Sequence, residues 1–255
     1  MRRTGLLPAL ALGLALWPGL SAAQSAEDRA AFARIERIGR DLYEHDRAAW
    51  LATDHARLVL PESERPNLRG WITLREGAAV IVDFVAERPE GLVSVHRSIF
   101  RNGGITEHGA VLIPLDEARQ RAHAALAIAM TAPASLCDLP YNSAILPPEG
   151  EGEADADVYL LPATTVEGLV RIGGFARHSV DVDAQRVLET EMFSNSCLTG
   201  QTEPGAAFLY VTHVVSPLPT QAHVFLSLSH GITIFVGTPE GLFEITQGRI
   251  RRVRQ

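Results

Sequence analysis

The chain has 255 residues, 46% of them hydrophobic, with 30 acidic against 23 basic side chains and a formal net charge of −7. That length can bury one sizeable core or two small ones, and an acidic surface repels nucleic acid and anionic lipid. Every basic side chain is arginine, which excludes lysine chemistry such as a Schiff base.

Arg2 and Arg3 precede an apolar run from Leu6 to Leu16, and Ser21 and Ala23 supply small residues ahead of Gln24. This is the pattern of a secretory signal peptide over residues 1–23, cut after Ala23. The apolar run is too short to span a bilayer, and no cysteine follows it to carry a lipid. The expectation is therefore a periplasmic or secreted protein with no integral membrane segment in the mature chain. Removing the leader takes away two arginines and no acid, which makes the balance more negative.

Ser25 and Asp28 have capping-box spacing, and Phe32, Ile35, Gly39, Leu42 and Trp50 follow at helical intervals, which predicts an amphipathic helix from about Ala26 to Ala52. Short runs of Val, Ile and Leu punctuated by Pro, Gly and Asn predict strands near 57–60, 70–74, 79–86, 92–99 and 105–113. Asp116 and Glu117 open a second helix with small residues on one side (Ala118, Ala122, Ala125, Ala129), and Pro133 is its expected stop. Residues 147–157, PPEGEGEADAD, combine breakers with acids and predict a flexible acidic loop, with spacing unlike a calcium-binding EF-hand loop.

After this loop, strands are expected at 157–161, 169–183, 186–194, 207–215, 222–229, 232–237, 241–246 and 249–253. Connections this short predict antiparallel neighbours, with Pro217 and Pro219 in a turn and the last strands in a meander. Ile234–Ile250, IFVGTPEGLFEITQGRI, resembles one repeat of the bacterial seven-bladed sensor propellers. A propeller needs several blades and there is no second copy, so a β-hairpin turning at Pro239, Glu240 and Gly241 is the reading adopted. The fold class expected is α+β, predominantly antiparallel sheet with an N-terminal and one internal helix. Residues 24–146 and 158–255 are expected to pack as one globular unit.

Cys137 and Cys197 are the only cysteines, and an even pair in an exported protein predicts a disulfide. The chain carries no HExxH, no zinc-type Cys/His spacing, no GxSxG elbow, no GxGxxG and no P-loop. No cofactor or metal is therefore expected. The catalytic candidates are two histidine groups. Asp41 and His45 lie one helical turn apart, next to Asp54 and His55, and can orient an imidazole for general-base work or form an ordinary solvated pair. His213 and His223 can meet across a strand ladder, while alternation turns His230 to the opposite face from His223. His178 is expected to be partly buried and to donate to a backbone carbonyl. The function expected is a non-enzymatic envelope protein that binds a partner protein or a small molecule, with a periplasmic hydrolase using a histidine/carboxylate site as the alternative.

Overall fold

A computed structural model describes residues 26–132, 137–150, 152–164, 166, 168–201 and 207–254. The expected signal peptide, the cap at Ser25 and the helix stop at Pro133 lie outside the described residues. The first helix, α1, runs Ala26–Val59. At 1.5 Å per residue it is about 50 Å long, so its buried stripe serves two cores in succession. Phe32, Ile38 and Leu42 pack with Phe225, Phe243 and Ile245, whereas Ala48, Ala52 and Ala56 lie against Val80, Val82 and Phe84. The strand expected at 57–60 is instead the end of α1, where the Leu60 amide still donates to the Ala56 carbonyl at 2.8 Å. Leu58 and Val59 look strand-like only in composition. Both are exposed, and Pro61 stops the helix because proline disfavours the α conformation in the residue before it.

A 3-10 turn at Glu62–Asn67 leads into four strands, β1 (Leu68–Glu76), β2 (Ala79–Arg88), β3 (Gly91–Arg101) and β4 (Gly104–Pro114). They form an antiparallel meander in the order β1-β2-β3-β4. β2 is buried on both faces, with α1 on one side and the second helix, α2 (Glu117–Met130), packed near the other. Asp116 caps α2 by accepting the Arg119 amide at 2.9 Å. Ala122, Ala125 and Ala129 then pack with Val85, Val158 and Leu160, since small side chains let a helix approach a sheet closely.

A second antiparallel sheet has the order β5 (Tyr141–Leu146), β6 (Ala156–Pro162), β8 (Ala176–Asp181), β9 (Arg186–Met192). The short β7 (Leu169–Arg171) pairs with β10 (Thr199–Gln201). The single long strand expected over 169–183 is thus broken between β7 and β8, at Gly173 and Gly174. The reason is the Cys137–Cys197 disulfide. A Cβ on Gly174 would stand 2.4 Å from the Cys137 sulfur, and Gly174 itself has φ +96°, so only glycine fits beside the bridge. The bond spans 60 residues of sequence. Reducing it, or replacing both cysteines by alanine, is expected to lower the unfolding free energy in urea by roughly 4 kcal/mol through unfolded-chain entropy. A loss below about 1 kcal/mol would show that the reduced unfolded chain stays compact.

The last sheet runs β11 (Phe208–Thr212), β12 (Thr233–Thr238), β13 (Gly241–Thr246), β14 (Arg249–Arg252). Here the expected strand 222–229 is corrected. Gln221–His230 is a helix, α3, with a capping box between Thr220 and His223 and a left-handed Gly231 at its end. Residues 221–227 are all buried, and a short segment buried all round has no solvent face from which to read a period. The caps decide it, since glycine at C′ ends a helix and satisfies its last carbonyls. Because α3 is a crossover, β11 and β12 pair in parallel and not as the expected antiparallel neighbours, which is the geometry an intervening helix allows. The hairpin at β12 and β13, turning at Pro239 and Glu240, is present. The whole is an α+β fold of mostly antiparallel strands.

Candidate functional site

The middle of α1 meets the start of β5, the end of β7 and the last turn of α3, and between them lies a cleft of about 200 Å³. Asp46 and Trp50 come from α1, Asn142 from β5, Arg171 from β7, and Ser229 and His230 from α3. Asn142, Arg171, Ser229 and His230 stand near the ends of their elements, while Asp46 lies within α1. Phe175 and Phe225 form an apolar wall, with ring centres 5.7 Å apart. Trp50 is exposed and is covered on one side by the Arg47 guanidinium, 4.6 Å from the ring centre.

The polar groups of the cleft are unequally satisfied. Asp46 accepts a hydrogen bond from the Asn142 amide at 2.8 Å. Burial pushes its carboxyl above the usual range, and the Asn142 bond only partly opposes this. Burial also lowers His230, keeping that imidazole neutral. Arg171 donates through one terminal nitrogen to Thr199 at 2.8 Å, but its buried Nε has no acceptor. A buried donor left unpaired costs about 1–3 kcal/mol. Such a donor, on a guanidinium that lines the cleft beside a carboxyl whose charged form burial disfavours, is left to pair with an acceptor from outside the chain once the side chain turns that edge outward.

This chain matches no protein-family model, and no curated protein or solved structure matches it. The geometry therefore carries the functional argument.

A second cleft, of about 190 Å³, lies over β6, β8 and the acidic stretch 147–157. Its charges already satisfy one another. Asp157 is buried and accepts Ser179 at 2.5 Å and the Glu149 amide at 3.1 Å. Arg177 reaches Asp157 at 3.3 Å, Glu189 at 2.8 Å and Glu191 at 3.0 Å. Glu149 in turn pairs with Arg34 and Arg37 of α1. Among the described residues, the charged groups lining it are paired within the chain.

The residues singled out from the sequence fall into two places. Asp41 and His45 share α1 but turn to different partners. Asp41 accepts Arg75 at 3.0 Å, while His45 is buried and shares a 2.8 Å hydrogen bond with Thr73. Burial, helped by Arg75, pushes His45 down to about 3. His213 and His223 do meet, edge to face with ring centres 4.8 Å apart, through α3 rather than across the expected ladder. The Thr220 amide donates to His223 Nδ1 at 3.0 Å. Ser216 donates to the Leu218 carbonyl at 2.6 Å, so the 2.7 Å contact with His213 places the proton on His213 Nε2. His178 is fully buried, and its Nδ1 pairs with Thr190 Oγ1 at 2.9 Å rather than with the expected backbone carbonyl. Asp46, Asn142 and Arg171 were not legible as a set. They are ordinary polar residues in three segments far apart in sequence, and only Trp50 and His230 drew notice, for other reasons.

Proposed function

We propose that this chain is an exported binding protein whose ligand is a small carboxylic acid with an apolar body, taken into the cleft lined by Asp46, Trp50, Asn142 and Arg171. The observation that carries this is the buried, unpaired Arg171 Nε. A carboxylate satisfies it once the guanidinium turns that edge toward the cleft, and lies in the guanidinium plane while the apolar body rests on Trp50 and the phenylalanine wall. The volume lies below the roughly 300–1,000 Å³ of drug-sized pockets, which favours a small molecule. Export is supported by the signal-like residues 1–23 and the disulfide, and among the described residues no helix is long and apolar enough to cross a membrane. Two arrangements weigh against the hydrolase alternative. His45 is walled off from solvent, and the Ser216 hydroxyl proton is held by a backbone carbonyl instead of being presented to His213.

Calorimetric titration with a panel of two- to six-carbon carboxylic acids, α-amino acids included, tests the proposal. Saturable binding of at least one is expected, weakened about 10- to 100-fold by Arg171→Gln through loss of a charge-assisted hydrogen bond. Asp46 gives this affinity a pH dependence. An anion prefers the neutral carboxyl beside it, so affinity rises as pH falls through the raised Asp46 titration, and Asp46→Asn flattens that rise. Absence of binding by every acid, with bare polypeptide in native mass spectrometry of protein taken from its own envelope, overturns the proposal.

A further inference from the structure

Edge strands leave a row of N–H and C=O groups open to any other strand, and exposed charges are one guard against that pairing. β1, β4, β9 and β14 are edges of this kind, with Arg75, Glu107, Glu189 and Arg251 exposed on them. β11 has no such guard. It is the other edge of the last sheet, and among the described residues only β12 pairs with it. No Asp, Glu, Lys or Arg occurs between Glu203 and Glu240. Val211 points into the core, whereas Phe208 is 61% exposed, Tyr210 59% exposed and Thr212 open to solvent. Both aromatic rings are held in place by β12. Phe208 meets Phe235 edge to face with ring centres 5.9 Å apart. Tyr210 lies over Gly237, where a Cβ would stand 2.6 Å from the tyrosine hydroxyl.

The backbone decides what fits this edge. The Thr233 amide donates to the Ala207 carbonyl at 3.2 Å, and the His213 amide donates to the Gly237 carbonyl at 2.8 Å. By alternation, residues 207, 209, 211 and 213 face β12, and the amides and carbonyls of Phe208, Tyr210 and Thr212 point the other way. In an antiparallel pair every second residue exchanges both hydrogen bonds with the residue opposite. A two-fold axis at Tyr210 sets that residue opposite its own counterpart and Phe208 opposite Thr212, so that each of these open groups is paired.

We propose that β11 is a self-association edge, through which two copies of this chain form a two-fold dimer by antiparallel pairing of Phe208–Thr212. Charge argues for a second copy. Two acidic chains repel each other over most of their surface, and an uncharged strip is where they approach at least cost. The patch is also complementary to itself, as an isologous interface requires. Its area sets the strength. Two aromatic side chains about 60% exposed offer roughly 200–300 Å² per copy. Even with the backbone included, the interface stays below the roughly 1,200 Å² of a stable complex, so the dimer is weak and reversible.

Sedimentation equilibrium of the disulfide-intact protein, from about 5 to about 500 μM, tests this. A monomer–dimer equilibrium is expected with Kd on the order of 100 μM. Tyr210→Glu sets two carboxylates against each other at the axis and weakens association about tenfold or more. Tyr210→Arg does the same, whereas an equal mixture of the two variants restores association, because opposite charges then meet. Arg251→Gln, on the opposite edge of the sheet, leaves the dimer unchanged. Thermal melts at the lowest concentration check that each variant is folded. If the Tyr210 variants melt early, Thr212→Arg takes their place, and the same loss is expected from a charge set against Phe208. A monomer at every concentration, a dimer unchanged by these substitutions, or a mixture no more associated than its two parts overturns the interface.

Discussion

Asp83→Ala is expected to lower the unfolding free energy by about 3–5 kcal/mol, the cost of removing one partner from a buried ion pair. Asp83 sits in the middle of the apolar strand β2 with its side chain 2% exposed. It accepts Ser94 at 2.6 Å, Arg97 Nε at 2.8 Å and Arg119 Nε at 2.7 Å. It thereby ties β2 to β3 and to α2. Without it, the Arg119 guanidinium, itself 9% exposed, stays buried with only its outer contacts to Glu76 and Asp116. Urea denaturation reads the loss directly, and a melt should show a fall on the order of 10 °C for a chain of this size. A loss under about 1 kcal/mol would mean that both arginines swing into water and that the network contributes little. Replacing Asp83, Arg97 and Arg119 together by apolar residues of similar volume should cost far less than Asp83→Ala alone, since the burial penalty of all three disappears with them.

Stability is expected to fall steeply as pH drops from 7 to 5. Burial pushes His45 down to about 3, with Arg75 adding to it, and burial with the neighbouring His213 does the same to His223. Both folded values lie below the ordinary 6.5, so above pH 6.5 neither state binds the proton and nothing is lost. Below it the unfolded chain takes up protons that the folded chain refuses, and the loss continues down to about pH 3. At pH 5 each histidine accounts for about 2 kcal/mol. His96 and His178, lowered mainly by burial, act in the same direction. Urea unfolding at pH 7.5 and 5.0 should therefore differ by about 4 kcal/mol or more, and His45→Asn should remove about 2 kcal/mol of the difference. Equal stabilities at the two pH values would show that water reaches these rings and protonates them in place.

The parts of the fold written in local pattern were legible. The meander strands at 70–74, 79–86, 92–99 and 105–113 showed themselves through Val- and Ile-rich runs between Gly and Pro, and α2 through its acidic start and alanine face. Failures came where burial removed the pattern or composition imitated another one. α3 is buried nearly all round and alternates serine with leucine, so it reads as a strand until Thr220 and Gly231 are taken as its caps. Leu58 and Val59 read as a strand while finishing a helix. β5 escaped notice although it carries Asn142 into the cleft.

The sites divide along the same line. Two cysteines in a chain with an export-like leader determined their pairing, because no other partner exists for either. Composition determined an acidic, lysine-free protein, and residue periodicity determined an α+β class. Only the tertiary structure decided that β11 and β12 run parallel around α3. It alone brought Asp46 and Trp50 against Asn142, Arg171 and His230, and placed β11 at an edge of its sheet. The physical reason is range. Periodicity, caps and turns act between residues a few positions apart and leave their mark in sequence. An unpaired Arg171 Nε exists only once distant segments have excluded water from around it.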